Sequence, residues 1–333
     1  MRVALTGATG FLGGALTRAY RSMGADLVAL VRKSSYVPPL EELGVELIYG
    51  DLTDENSLIE LTKSADLAIH CAAYTGEFGP WDLFYKTNIL STKNFLEACL
   101  KNGCPRSIYV SSVAVYGNGR QHRGTEEDAA YESLVIDYYT RSKIAADKLA
   151  LDYFIRHNLP VTVVRPGYIW GEGDRAIMPR LIEAIKLGRL AVVDGGKNLM
   201  NLAHVDNVVD GVLLAAKSDN AIGQAYNLTD GSKITTRRFL EDIIRLLGIK
   251  YKLRSFPYVP AYSFAFLCEY YARLRRYRIE PLITRYAVRM GKYDQVFNIS
   301  KAVYQLGYNP KISYNTGMAG MVNYLRTLYY GQR

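Results

Sequence analysis

At 333 residues, with 49% apolar and 22% charged side chains, the chain is long enough to bury a full core as one large or two modest domains, which excludes a disordered or fibrous polymer. A net charge of +9 invites acidic partners, yet only Arg273, Arg275, Arg276 and Arg278 form a dense basic group, so no nucleic-acid role is expected. Four cysteines (Cys71, Cys99, Cys104, Cys268) without Cys-x-x-Cys spacing and four isolated histidines indicate neither a metal site nor a disulfide framework, and the thiols read as reduced and buried.

The first predicted element is a strand over Val3, Ala4 and Leu5 that stops at Thr6-Gly7, before a helical pattern that begins near Phe11. So early a strand leaves no room for the charged leader and apolar core of a signal peptide, which favours the cytoplasm. Gly7, Gly10 and Gly13 fall where the strand hands over to the helix. Gly7 permits a tight turn, Gly10 lets backbone N–H groups approach a pyrophosphate, and Gly13 lets the helix lie close on its strand. A glycine triplet alone is a weak signal, but one between a strand and a helix, followed by further alternation, fits a dinucleotide-binding turn.

Leu27 to Val31 predicts a second strand, followed by Arg32 and Lys33 with no carboxylate between positions 30 and 35. An acidic residue there would bind the ribose of NAD, whereas an arginine pairs with the 2′-phosphate of NADP. NADP(H) is therefore favoured, with NAD(H) left open. Val45 to Tyr49 predicts a third strand, Asp51 sits just past it, and Asp54 is placed to cap a helix through Leu61. A fourth strand, Leu67 to His70, runs into the small residues Cys71-Ala72-Ala73, against which a cofactor can lie. His70 reads as a core residue, Tyr74 to Trp81 as an aromatic loop over the mouth of the site, and Leu83 to Lys101 as a helix carrying Asn88.

Ser107 to Ser111 predicts a fifth strand, with Ser112 directly after it. Tyr139 and Lys143 are four apart, so in a helix both project from one face. A phenol of pKa about 10 is a poor acid or base at neutral pH, and a nearby ammonium favours its ionised form. The Ser112 hydroxyl can then hold a substrate oxygen while Tyr139 moves a proton. Val161 to Val164 is a sixth strand, after which the alternation loosens. A helix from Ala176 to Leu187, a strand near Ala191, an Asp206-capped helix from Asn207 to Lys217, a strand at Tyr226 to Thr229 and a Thr235-capped helix ending at Gly248 follow.

The stretch Tyr251 to Met290 is dense in aromatic and basic residues, and its apolar half with a basic end suits a pocket-lining helix or one resting on a membrane surface. Its longest apolar run, Tyr258 to Leu267, contains Pro260 and is short of the roughly 20 residues a spanning helix needs. The resulting fold class is α/β, a Rossmann-type doubly wound parallel sheet over residues 1–166, with residues 201–229 returning to it. A smaller mixed α/β substrate region takes most of 167–333.

With the glycine turn, Ser112, Tyr139 and Lys143 in place, the chain resembles the extended short-chain dehydrogenase/reductases, also known as the NAD-dependent epimerase/dehydratase superfamily. His70-Cys-Ala-Ala73, Asn88, Arg165-Pro166 and Ser300 to Pro310 extend the likeness over nearly the whole chain. Within that group it is most similar to the 3β-hydroxysteroid dehydrogenase and sterol-4-carboxylate 3-dehydrogenase branch. The resemblance implies Tyr139 as general acid/base, Lys143 as its electrostatic partner and ribose ligand, and Ser112 as the orienter of the substrate oxygen. It further implies cofactor contacts at Gly7, Thr9, Gly10, Phe11, Leu12, Gly13, Arg32, Lys33, Asp51, Leu52, Ala72, Ala73, Asn88, Tyr139, Lys143 and Pro166. Substrate contacts are expected at Tyr74, Ser112, Val113, Tyr168 and Met178. The expected activity is hydride transfer between the nicotinamide and a secondary alcohol or ketone of an apolar small molecule, a sterol or a 3-oxoacyl compound. A homodimer and peripheral membrane contact through residues 256–278 are compatible with it. Val113-Ala114, where nucleotide-sugar dehydratases carry Asp-Glu, argues against water elimination. A nucleotide-sugar 4-epimerase is the nearest alternative, and a non-catalytic binding protein the alternative from another class.

Overall fold

The computed structural model describes residues 1–331, so the last two positions of the expected 167–333 region lie outside the described residues. Strand β1 (Arg2–Thr6) leads through the glycine turn into α1 (Phe11–Ser22), followed by β2 (Asp26–Val31), α2 (Pro38–Glu42), β3 (Glu46–Tyr49), α3 (Glu55–Thr62) and β4 (Leu67–His70). Helices α4 (Trp81–Phe84) and α5 (Ser91–Lys101) precede β5 (Ser107–Val110), and after β6 (His122–Thr125) the long α6 (Tyr138–His157) leads to β7 (Val161–Pro166). The chain then departs through β8 (Tyr168–Trp170), α7 (Ile177–Lys186), β9 (Ala191–Val193) and β10 (Leu202–His204), and returns as α8 (Val205–Lys217) and β11 (Ala225–Leu228). It departs again through α9 (Thr236–Leu247), β12 (Arg254–Phe256), α10 (Tyr258–Leu274), α11 (Arg285–Met290), β13 (Gln295–Phe297), α12 (Ser300–Leu306), α13 (Tyr314–Gly320) and α14 (Val322–Tyr330).

Seven of these strands form a single parallel sheet in the order β11-β7-β5-β4-β1-β2-β3. Both faces are covered, which is why the strands read as apolar runs rather than alternating ones. Val3 and Leu5 of β1 pack with Leu12, Leu16 and Tyr20 of α1 and Val208 and Val212 of α8 on one side. Ala4, between them, faces Leu58 and Leu61 of α3, Phe95 of α5 and Ala146 of α6 on the other. The strand order reverses at β1, so a crevice opens over the carboxyl ends of β1 and β4, where a doubly wound sheet takes its ligand. A second core, built on Trp170, Ile182, Phe239, Ile243 and Met318, holds the C-terminal region together.

Three departures from the sequence reading have local causes. Residues 81–101 are not one α-helix: a π-turn over Tyr85–Leu90 separates α4 from α5 and places Asn88 inward, a feature that apolar periodicity does not encode. Helix α8 starts at Val205, so His204 is its cap, accepting from the Asp206 amide, and Asp206 sits in the first turn where its charge suits the helix dipole. Of the segment expected to return to the sheet, α8 and β11 do so, while β10 pairs instead with β8 outside it. Asp54 and Thr235 cap α3 and α9 as expected.

Candidate active site

The crevice is shaped by what the glycines leave out. Gly7 has φ +77°, and a Cβ on it would lie 2.7 Å from the Ala72 nitrogen. One on Gly13 would lie 2.0 Å from the Gly7 carbonyl oxygen, so any side chain there would push α1 off β1. Gly10 caps α1 without a side-chain hydrogen bond, and the first turn carries no acidic residue. Free amides at a positive dipole end, in a cradle that a Cβ would fill, fit the pyrophosphate of a dinucleotide. Thr9 and Phe11 are partly exposed at this turn, whereas the Leu12 side chain is core, which leaves only its backbone to face a ligand.

Ala72 and Ala73 continue from β4 as the partly exposed floor, and the Ala72 amide donates to the Thr6 hydroxyl at 3.3 Å. At the far end of the crevice, β2 and β3 stop side by side, with Val31 paired to Tyr49. Arg32 and Lys33 therefore lie exposed beside Asp51. Thr53 donates to Asp51 from its hydroxyl (2.6 Å) and its amide (2.9 Å), which together with nearby Arg32 holds that carboxyl below its usual range. Leu52 packs partly into the core, and Pro166 ends β7, buried. The Asn88 side chain is engaged by the protein itself: it accepts from the Tyr74 amide (2.7 Å) and donates to the Tyr74 carbonyl (3.0 Å) and the Ser142 hydroxyl (2.8 Å). It thereby ties the loop after β4 to α6.

Ser112, Tyr139 and Lys143 converge at the carboxyl end of β5. Ser112 leaves the strand in extended conformation and its hydroxyl accepts from the Ala114 amide at 3.1 Å. Tyr139 lies in the first turn of α6, whose start is fixed by Asp137 accepting from the Thr140 amide at 2.7 Å, and the Ser112 hydroxyl is near enough to its phenol to favour the ionised form. Lys143, one turn on and 2% exposed, donates to the Val110 carbonyl (2.9 Å) and the Tyr109 hydroxyl (3.3 Å). The expected contact of ammonium with phenol is thus not made. A buried ammonium needs acceptors, and the nearest are on β5. Burial accordingly pushes Tyr139 above the ordinary phenol value, against the opposing effect of the nearby Ser112 hydroxyl, and brings Lys143 down to about 8, against the attraction of Asp147.

Over this set the C-terminal region forms a roof that the sequence reading did not anticipate in detail. The Tyr286 ring stands edge-on to Tyr139 at 6.3 Å, and Thr284 donates to the Glu77 carboxylate at 2.5 Å across 207 positions of sequence. Burial raises both Glu77 and Asp137 above the usual carboxyl range. No local signal marks Glu77 or Tyr286, because each is placed only by its distant partner. Tyr74 packs edge-on to Phe84, and Tyr168 faces Phe239 with its hydroxyl end deeply desolvated near Glu77. Two expected substrate contacts lie elsewhere: Met178 is fully buried in the second core, since its helix turns that face to Ile182 and Trp170, and Val113 is buried against Ile144. His70 is core as expected, with the Thr6 hydroxyl 2.8 Å from Nδ1 and its ring stacked on Phe95.

The chain is similar to several known proteins. Residues 3–229 match the NAD dependent epimerase/dehydratase family. The chain is 32% identical over 321 residues to the 4-hydroxy-2-methyl-3-oxo-4-farnesyl-3,4-dihydroquinoline-1-oxide ketoreductase of Stigmatella aurantiaca, covering 96% of this chain and 95% of that protein. It is 31% identical to the decarboxylating sterol-4-alpha-carboxylate 3-dehydrogenase of Mus musculus, over 81% of this chain and 76% of that one. Among solved structures, the crystal structure of gox2253 superposes with a TM-score of 0.80 at 29% identity, covering 98% of this chain and 99% of that chain.

Proposed function

This chain belongs to the NAD dependent epimerase/dehydratase family, and from that premise we propose that it reduces the carbonyl of an apolar ketone with NADPH. The protein is a nicotinamide-dependent oxidoreductase of the extended short-chain type, related to the sterol dehydrogenases. The observation that carries the finer reading is the convergence of Ser112 and Tyr139 beside a buried Lys143, beneath an aromatic roof. Burial keeps the phenol protonated at neutral pH, which is the state needed to donate to a ketone oxygen. A nicotinamide held along the glycine crevice would supply the hydride at the carbonyl carbon.

The residues do the rest. Ser112, its hydroxyl already oriented by the Ala114 amide, holds the carbonyl oxygen in place. Tyr139 transfers its proton to that oxygen as negative charge develops there. Lys143 stabilises the resulting phenolate by its charge, with Asp147 one turn further along helping to keep it ionised. Tyr74, Tyr168 and Tyr286 present an aromatic wall suited to a farnesyl- or sterol-like body, the kind of substrate named for the two relatives. A spectrophotometric screen of 3-oxosterols, 3-oxoacyl compounds and UDP-sugars tests this reading. Loss of NADPH absorbance with an apolar ketone supports it. Interconversion of UDP-sugars without net absorbance change, by protein that retains its cofactor, overturns it.

The preference for NADPH rests on Arg32 and Lys33, exposed past β2 without a competing carboxylate on that strand end. A charge-assisted hydrogen bond is worth about 1.5–3 kcal/mol, so Arg32→Ala is expected to lower kcat/KM with NADPH roughly ten- to a hundredfold while NADH kinetics stay put. Equal losses with both cofactors would remove Arg32 from the discrimination.

A further inference from the structure

Helix α10 is inside out. Its buried side carries the small residues Ala265 and Ala272, together with Glu269, which accepts from the Arg285 amide (2.7 Å) and Nε (2.9 Å). Its opposite side carries Val259, Phe264, Phe266, Leu267, Tyr270, Tyr271 and Leu274, from 46% exposed at Phe266 to 70% at Val259. At 100° per residue these seven positions and Ser263 cover less than half the circumference, so they make one continuous apolar face. Phe256 before the helix and Ile279 and Leu282 after it extend the exposed apolar surface. A patch of this kind on a folded protein marks a contact surface.

Charge selects the occupant. Between Lys252 and Leu282 the cations are Lys252, Arg254, Arg273, Arg275, Arg276 and Arg278, and the carboxylates are Glu269, which faces inward to Arg285, and Glu280, which is paired with Arg180. Among the described residues Arg275, Arg276 and Arg278 form no ion pair. A second copy laid face to face on α10 would bring these cations against their own kind. A bilayer with anionic headgroups accepts both the apolar face and its basic ends. With 17 residues α10 is too short to cross a bilayer, and no helix among the described residues is long and apolar enough to do so.

We propose that the outer face of α10 seats this protein on an anionic lipid surface, with Phe264, Leu267, Tyr271 and Leu274 inserted among the acyl chains and Arg275, Arg276 and Arg278 among the phosphates. The inference stands apart from the reductase reading, since lipid attachment is measured without turnover. Its consequence for that reading is positional: Glu269, on the inner side of α10, fixes Arg285, whose neighbour Tyr286 stands against Tyr139. The docked helix is therefore the outer layer of the catalytic roof.

Co-sedimentation with sonicated vesicles tests it. The protein is expected to pellet with phosphatidylcholine vesicles containing phosphatidylglycerol at low salt, and far less with phosphatidylcholine alone. The triple variant R275S/R276S/R278S should lower partitioning onto the anionic vesicles roughly a hundredfold. The triple variant F264S/L267S/Y271S should abolish it, with an unchanged thermal melt in both cases because the replaced side chains are exposed. Wild-type protein left in the supernatant overturns the proposal. So does a dimer, seen by light scattering, that F264S/L267S/Y271S dissociates and that does not pellet with vesicles.

Discussion

Replacing Tyr139 by phenylalanine is expected to lower kcat about 10²- to 10⁴-fold while leaving the affinity for NADPH within a few-fold of wild type. In the proposed reduction the phenol is the acid, set near Ser112, which would hold the carbonyl oxygen. Phenylalanine keeps the ring and its edge-on contact with Tyr286, so the roof stays packed and only the proton donor is lost. On the same proposal NADPH would be held by the glycine turn and by Arg32 at the other end of the crevice, away from the deleted hydroxyl. Rapid-mixing kinetics with either cofactor separates the two quantities. A Tyr139→Phe protein that turns over at the wild-type rate removes Tyr139 from the chemistry, and one that fails to bind NADPH makes its role structural.

How far the sequence disclosed this arrangement follows from which forces are local. The sheet was legible because a doubly covered strand announces itself: Leu67 to His70 is apolar up to its last residue and forms β4 with those limits. Caps at Asp54 and Thr235 were legible because the capping oxygen and the amide it accepts from lie within three residues. The Tyr139 and Lys143 pair was legible as spacing, but its electrostatics were not. Spacing cannot report that the Val110 carbonyl, 33 positions away, claims the ammonium. The π-turn around Asn88, the Glu77–Thr284 clasp and the pairing of β6 with β13 all depend on partners that only the folded chain supplies. Met178 misled for a related reason, since an apolar residue on a helix of the substrate region faces either a pocket or a core, and its periodicity is the same in both.

The largest effect on stability is expected from a group that sequence inspection passed over as a motif member. Arg165 on β7 and Asp147 on α6 form a two-pronged pair, Nε to Oδ2 at 3.1 Å and Nη2 to Oδ1 at 2.7 Å, with side chains 2% and 0% exposed. The remaining capacity of Arg165 goes to the Tyr116 hydroxyl (2.6 Å), the Tyr131 hydroxyl (3.1 Å) and the Glu127 carbonyl (2.9 Å), and that of Asp147 to Ser111 and to the Tyr131 hydroxyl (2.7 Å). Asp147→Asn leaves a buried guanidinium without a counter-charge and turns an amide donor toward it. The expected loss is about 3–5 kcal/mol, read as a lower urea midpoint at unchanged slope. Because the penalty lies in the orphaned charge, Asp147→Leu combined with Arg165→Met should lose less than either single change.

The same carboxylate reaches the chemistry. Asp147 lies one turn beyond Lys143 and opposes the desolvation that brings the lysine down to about 8, so its removal lowers the lysine further. The ammonium then discharges at lower pH, and the alkaline limb of the kcat/KM profile should move toward neutrality in Asp147→Asn. A destabilised protein whose alkaline limb does not move would confine the pair to holding β7 on α6.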